Sequence, residues 1–359
     1  MRPLLRCALA LGLLLPSVSL LAASPTASRM LSGELQGAPW RLDVPADWNG
    51  ELVMLAHGYE PVGVPRTTPM AANDSTAPLL GAGYAVAQSA YSSQGWAVAD
   101  AIADMERLRQ RAQAELKHVR RTWMLGFSMG GAVTVGSLER FPQYYAGGVS
   151  LCGANLSGEQ LATDLLTTLV AFDYFFPAAK GLPPAGLASR GTIALPQDAL
   201  YQGIANALQR DPSRAALLAR RLQVSSNALA GTISLHALVL HELANRSGGM
   251  PVGNAGVAYS GFGDDAAFNA GVERFEAVPT AQAYVRSRLA LTGALKRPLV
   301  IQFNNDDPTI VPHMQAVYPL LAAQARARPL PKVLPAVGQG HCGFSGAQVV
   351  EALKAAARP

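Results

Sequence analysis

Cysteine, charge and aromatic side chains are all scarce in this 359-residue chain, and each scarcity excludes something. Three cysteines, Cys7, Cys152 and Cys342, are too few for a disulfide framework or a four-cysteine zinc site. Charged residues make up 15% and aromatics 7%, against a disordered polyelectrolyte or a long coiled coil. The formal net charge is only +5, and two of those charges are Arg2 and Arg6. The densest basic spot, Lys117 with Arg120 and Arg121, falls at a helix end, where cations complement the dipole, so no nucleic-acid partner is expected. There is no P-loop, no dinucleotide fingerprint and no metal-ligand spacing; His236 and His241, five apart, fit no zinc pattern. No cofactor or metal is therefore expected. Internal repeats and low-complexity tracts are missing too. What is abundant is apolar residue, 50% of the chain, enough for one large core with a sizeable insertion.

The first residues read as a leader. Met1-Arg2-Pro3-Leu4-Leu5-Arg6 is basic, 7–21 is apolar, and Ala22-Ala23-Ser24 offers small residues for cleavage. This is the pattern of a secretory signal peptide over 1–23, with Ser19 as another cleavage point. The run is short and broken by Pro16, against a membrane anchor, and no later stretch is apolar enough to span a bilayer. A periplasmic or secreted protein without stable membrane insertion is expected.

After a loose leader over 24–37, short apolar runs and amphipathic stretches alternate. Strands are expected at 40–45, 51–56, 83–88, 122–127 and 146–152. Helices are expected at 97–117, where Ala97, Ala101, Met105 and Leu108 recur at helical spacing, and after residue 128. That order predicts an α/β fold, a mostly parallel central sheet with helices on both faces. From 155 to 296 the rhythm changes: helices are predicted at 161–176, 199–208, 213–222 and 235–244, and no buried strand. The expected division is a core over 24–154 and 297–359 and a helical cap or lid insertion over 155–296. The sheet resumes at 298–303, a helix follows at 313–327, the last strand is at 332–337, and a closing helix runs over 346–357 with Ser345 as its cap.

The chain is organised around Gly126-Phe127-Ser128-Met129-Gly130, a G-x-S-x-G between an expected strand and an expected helix. A serine at a sharp strand-to-helix turn leaves no room for a Cβ two residues away on either side. The helix that follows turns its N–H groups toward the site. A serine hydroxyl needs a base. Among six histidines, His341 stands in Gln339-Gly340-His341-Cys342-Gly343, just after the last expected strand, where open α/β sheets build their sites. The acid belongs between serine and histidine, after a strand. Asp307, in Asn304-Asn305-Asp306-Asp307-Pro308, is chosen because Pro308 fixes its turn, with Asp306 as the alternative. An oxyanion hole needs two convergent N–H groups: Met129 offers one, and Tyr59, or else Gly58, the other, from His57-Gly58-Tyr59.

In this order His57-Gly58-Tyr59, Gly126-Phe127-Ser128-Met129-Gly130, Asp307-Pro308 and Gly340-His341-Cys342-Gly343-Phe344 resemble the α/β-hydrolase superfamily. Asp47-Trp48-Asn49-Gly50 and Ser93-Gln94-Gly95-Trp96 are similar to its secreted bacterial serine esterases and peptidase-like members. The resemblance covers about 40–153 and 297 to the end, and implies that the insertion is a lid over the site. The implied chemistry is acyl transfer by Ser128, His341 and Asp307, on a small-molecule or polymeric carboxylic ester. One alternative is a peptidase acting near a free amino terminus, with Asp264 or Asp265 binding the amine; the other is a non-catalytic binding protein on the same fold. An aromatic cluster, Phe172, Tyr174, Phe175 and Phe176, either lines a pocket or packs the insertion. Cys152 and Cys342, brought to one sheet edge by this winding, are expected to form a disulfide.

Overall fold

The computed structural model describes residues 27–189, 192 and 195–358; the expected signal peptide lies outside the described residues. β1 (Ala27–Leu35), β2 (Ala38–Pro45) and β3 (Glu51–Ala56) lead to α1 (Thr76–Gly81), β4 (Ala85–Ser89) and α2 (Val98–Leu116). Then come β5 (Arg121–Phe127), α3 (Met129–Arg140) and β6 (Gly147–Leu151). Between β6 and the next strand the chain is helical: α4 (Gly158–Phe175), α5 (Gln197–Arg210), α6 (Pro212–Leu222), α7 (Leu229–Ser247), α8 (Asp265–Gly271) and α9 (Pro279–Arg288). β7 (Leu299–Gln302), α10 (Pro312–Gln315), α11 (Val317–Gln324), β8 (Lys332–Val333) and α12 (Gly346–Ala357) complete it.

The sheet order is β1-β2-β4-β3-β5-β6-β7-β8. β1 and β2 pair antiparallel, as do β2 and β4; all other neighbours are parallel. Alternation along the central strands feeds two apolar layers. Leu52, Met54 and Met124 face one layer with Met105 and Leu108 of α2 and Val133 of α3. Val53, Leu55, Trp123 and Leu125 face the other with Leu79 of α1 and Leu353 of α12. Helices thus cover both faces, as the expected mostly parallel α/β sheet requires. The helices between β6 and β7 join the first layer through residues such as Leu169, Phe172, Ile233 and Leu240.

The sequence reading needs correcting at both ends of the sheet. Residues 27–35 are no loose leader: β1 pairs with β2 from Leu35↔Ala38 back to Ala27↔Pro45 around a tight turn at Gln36 and Gly37, which both have positive φ. Its side chains are mostly exposed, so it lacks the apolar run that reveals a buried strand. β8 is only two residues long, both exposed, and pairs on one side alone. α1 is a short helix that carries Pro78 within its first turn, a residue that hides a helix from a reading of periodicity.

The chain reverses its direction of winding at β3: β4 lies on one side of it and β5 on the other. Ligand sites in open α/β sheets form at such a switch, beyond the carboxyl ends of the strands. Ala56, the last residue of β3, is level with Gly126 of β5, so the loop after β3 and the turn after β5 leave the sheet side by side.

Candidate active site

The turn after β5 carries Ser128 with φ 53° and ψ −120°, a left-handed conformation that an L-residue adopts only when its surroundings enforce it. The glycines on either side permit it. A Cβ on Gly126 would overlap the Gly130 carbonyl oxygen and crowd Thr134 Oγ1, and one on Gly130 would run into the Ala56 and His57 carbonyls. Neither obstacle is a flexible side-chain end, so Gly126→Ala and Gly130→Ala should each cost about 3 kcal/mol or more. Thermal melts of the two variants check this; a melting temperature equal to the parent's would contradict it.

Ser128 Oγ lies 2.9 Å from His341 Nε2. The other ring nitrogen, Nδ1, lies 2.9 Å from Asp307 Oδ2 and 3.0 Å from Oδ1. A carboxylate only accepts, so Nδ1–H donates to Asp307 and Nε2 is left to accept from the serine hydroxyl. Asp307 is buried, and its Oδ1 also accepts from Thr309 N at 2.8 Å and Ile310 N at 3.0 Å. Three N–H donors, one of them shared between both oxygens, therefore fix this carboxylate. Asp306 is exposed and left-handed, with φ 50°, and turns the chain without facing the imidazole. The residues expected to act together, Ser128, His341 and Asp307, are thus brought together.

The loop after β3 closes the other side. Gly58 packs on the serine: a Cβ there would stand 3.2 Å from Ser128 Cβ. Gly58 and Tyr59 both border the cavity beside Ser128, and Met129 opens α3, whose first N–H groups have no partner within the helix. His57 stacks on Tyr91 with ring centroids 4.0 Å apart and donates from Nδ1 to the Gly58 carbonyl at 2.7 Å. Tyr91 Oη donates to the His57 carbonyl at 3.0 Å. Burial pushes the His57 pKa down, and the stacked, hydrogen-bonded ring braces the loop. Burial also raises the pKa of Tyr59, and the nearby Glu242 raises it further.

Cys152, at the end of β6, and Cys342, next to His341, form a disulfide with Cα atoms 5.2 Å apart. The sequence separation is 190 residues, so the bond ties the histidine loop to the sheet and closes a loop around all six helices from α4 to α9. A loop of that size corresponds to about 5 kcal/mol of chain entropy, an upper figure for the stabilisation. Denatured, unreduced protein lacking residues 1–23 should show no titratable thiol and, after reduction, a lower melting temperature. Two free thiols before reduction would contradict the bond.

A cavity of about 500 Å³ opens over Ser128, a size suited to a small organic ligand. Leu161 and Leu165 of α4, Leu235 and Val239 of α7, Ile310 and Met314 give it an apolar wall. The helices between β6 and β7 therefore contribute directly to the site. The aromatic cluster does not: Phe175 stacks on Phe268, and Tyr174 meets Phe268 edge-on, inside the insertion. Asp264 accepts from Ala267 N at the start of α8, and Asp265 accepts from Gly261 N and Phe262 N. Both are turn and cap formers, as Asx residues often are, and neither borders the cavity. Sequence reasoning missed the cavity-lining residues of α4 and α7; an apolar helix face looks the same whether it packs a core or lines a pocket.

An eight-stranded, mostly parallel sheet whose fifth strand runs into the turn at Ser128, with Asp307 after β7 and His341 after β8, is the α/β-hydrolase fold. No family model and no curated protein matches the chain. Solved structures similar to it include a hormone-sensitive lipase from a metagenome library, at 12% identity and TM-score 0.45, covering 93% of this chain and 85% of that one. A thermostable carboxyl esterase from Bacillus coagulans has 12% identity and TM-score 0.43, covering 87% and 91%. The acylaminoacyl peptidase of Pyrococcus horikoshii has 10% identity and TM-score 0.45, covering 92% of this chain but only 40% of the peptidase. This chain thus spans well under half of that peptidase's length.

Proposed function

We propose that the protein is a serine hydrolase that cleaves carboxylic esters through an acyl-enzyme intermediate. The observation that carries this reading is the run of hydrogen bonds from Ser128 through His341 to Asp307, at the floor of a cavity. Ser128 Oγ attacks the carbonyl carbon while His341 Nε2 takes its proton, and Asp307 stabilises the imidazolium without taking the proton itself. The N–H groups of Met129 and Tyr59 hold the oxyanion. His341 then protonates the leaving alkoxide, and water, activated by the same ring, releases the acid.

The insertion acts as a cap that shapes the cavity. Arg246 of α7 fastens it to the core, with Nη1 2.6 Å from Asp100 Oδ2 and Nη2 donating to the Gln94 carbonyl at 2.7 Å. Esters are favoured over peptides near a free amino terminus. The acids that would bind that amine, Asp264 and Asp265, are engaged at α8, and the wall over Ser128 is largely apolar. Export follows from the leader pattern and agrees with the disulfide, since such bonds persist in oxidising compartments. Among the described residues no helix is long and apolar enough to cross a membrane.

A fluorophosphonate probe should label Ser128, and p-nitrophenyl esters of increasing acyl length should be turned over with an optimum set by the cavity. Absence of label under conditions where the protein is folded would favour a binding protein on this fold. Turnover of aminoacyl amides in preference to esters would favour the peptidase reading.

A further inference from the structure

Among the residues that α4 and α7 give the cavity, one is polar. His236 lies on α7 between Leu235 and Val239, is buried, and borders the cavity above Ser128. It also borders an adjoining cavity of about 210 Å³, which shares Thr309 and Met314 with the first. Its Nδ1 is 2.9 Å from Thr168 Oγ1. That hydroxyl in turn donates to the carbonyl of Asp164, one turn back in α4, at 3.1 Å. A hydroxyl has one proton and a carbonyl can only accept. The Thr168 proton can serve only one of these two contacts; placed on Asp164 O, it leaves Oγ1 to accept from Nδ1–H of His236. The ring is then protonated at Nδ1, and Nε2 carries a lone pair. No hydrogen-bond partner for Nε2 is seen among the described residues, and it is not among the side-chain atoms sealed from solvent without one. The ring borders both cavities.

We infer that His236 is a specificity-determining residue whose Nε2 accepts a hydrogen bond from an O–H or N–H donor on the substrate. This rests on the ester-hydrolase reading above and narrows it to substrates that carry such a donor on the group seated between α4 and α7. Burial pushes the His236 pKa down to about 4, so the ring is neutral in ordinary buffers and keeps its acceptor. Asp164 pulls the other way and His313 adds to the lowering, both weaker than burial. A substrate with only methylenes at this point leaves the acceptor unpaired among Leu165, Leu235 and Val239, and an unpaired buried polar group is costly. A matching donor removes that cost, and rejection of an analogue that lacks the donor is the usual consequence of such a site.

Two matched pairs of p-nitrophenyl esters separate the sources of the donor. The 3-hydroxybutyrate and butyrate differ by a hydroxyl; the N-acetylglycinate and levulinate differ by N–H against CH₂. The kcat/KM ratio within each pair is compared between the parent protein and His236→Phe, which keeps a ring and removes the acceptor. Comparing ratios cancels the esters' intrinsic reactivities. The expected result is a ratio about tenfold higher in the parent for at least one pair. Equal ratios in the two proteins for both pairs would overturn the inference while leaving ester hydrolysis intact. If the parent cleaves no ester at all, it is the hydrolase reading that falls. Should His236→Phe not fold, long-range ¹⁵N–¹H correlation spectra of the parent protein decide. Protonation at Nδ1 of His236 sustains the inference, and protonation at Nε2 overturns it.

Discussion

Ser128→Ala is expected to lower kcat toward chromogenic esters by about six orders of magnitude while leaving the melting temperature near that of the parent. The two halves of that expectation have separate causes. The hydroxyl is the group that His341 Nε2 meets at 2.9 Å, and without it the base has no proton to take and the carbonyl carbon has no nucleophile. The loss of one member of a unit that acts together is therefore close to the loss of all. The fold depends instead on the backbone around the serine. The amide of Ser128 donates to the Leu151 carbonyl, and its own carbonyl accepts from Gly131 N and Ala154 N. None of these bonds involves the side chain, and alanine has the same Cβ, so the strain at φ 53° is unchanged. Activity within tenfold of the parent, in protein freed of contaminating hydrolases, would place the nucleophile elsewhere.

The contrast between what the sequence reveals and what it hides follows from how local each feature is. The elbow is local: Gly126 and Gly130 are required by contacts within one turn and with the neighbouring strand, so the motif and its context can be read together. The strand at Glu51–Ala56 and the closing helix at Gly346–Ala357 fall where hydrophobic pattern and capping put them. Ser345 and Gln348 form the reciprocal capping box that marks such a start. β1 is not local, because it is defined by pairing with β2 and buries little. The cavity wall is the least local of all. Leu161, Leu165, Leu235 and Val239 have the helical spacing of core residues, and only the approach of α4 and α7 to the sheet edge makes them a site. His236 shows the same limit: an imidazole on an apolar helix face has no readable role until Thr168 is seen beside it.

Asp307→Asn should cost about 10⁴-fold in kcat, and Asp306→Asn less than about twofold. For Asp307 the surrounding hydrogen bonds decide how the new amide sits. Oδ1 accepts from Thr309 N and Ile310 N, two donors that only an oxygen can satisfy, so the asparagine carbonyl takes that place. The amide nitrogen then occupies the position of Oδ2, 2.9 Å from His341 Nδ1, and presents a donor where an acceptor stood. Oδ1 stays 3.0 Å from Nδ1, but the amide donor at 2.9 Å favours the tautomer with a lone pair on Nδ1 and the proton on Nε2. A protonated Nε2 cannot take the serine proton, although every heavy atom remains in place. The developing imidazolium also loses the negative charge that stabilised it. Asp306 has no such role. Its side chain is exposed, and its left-handed backbone, φ 50°, is one that asparagine tolerates as readily as aspartate. Measuring kcat for both variants, with melts to verify folding, separates the neighbours. A large loss at Asp306 with little at Asp307 would transfer the acid to Asp306, and small losses at both would remove the acid from this loop altogether.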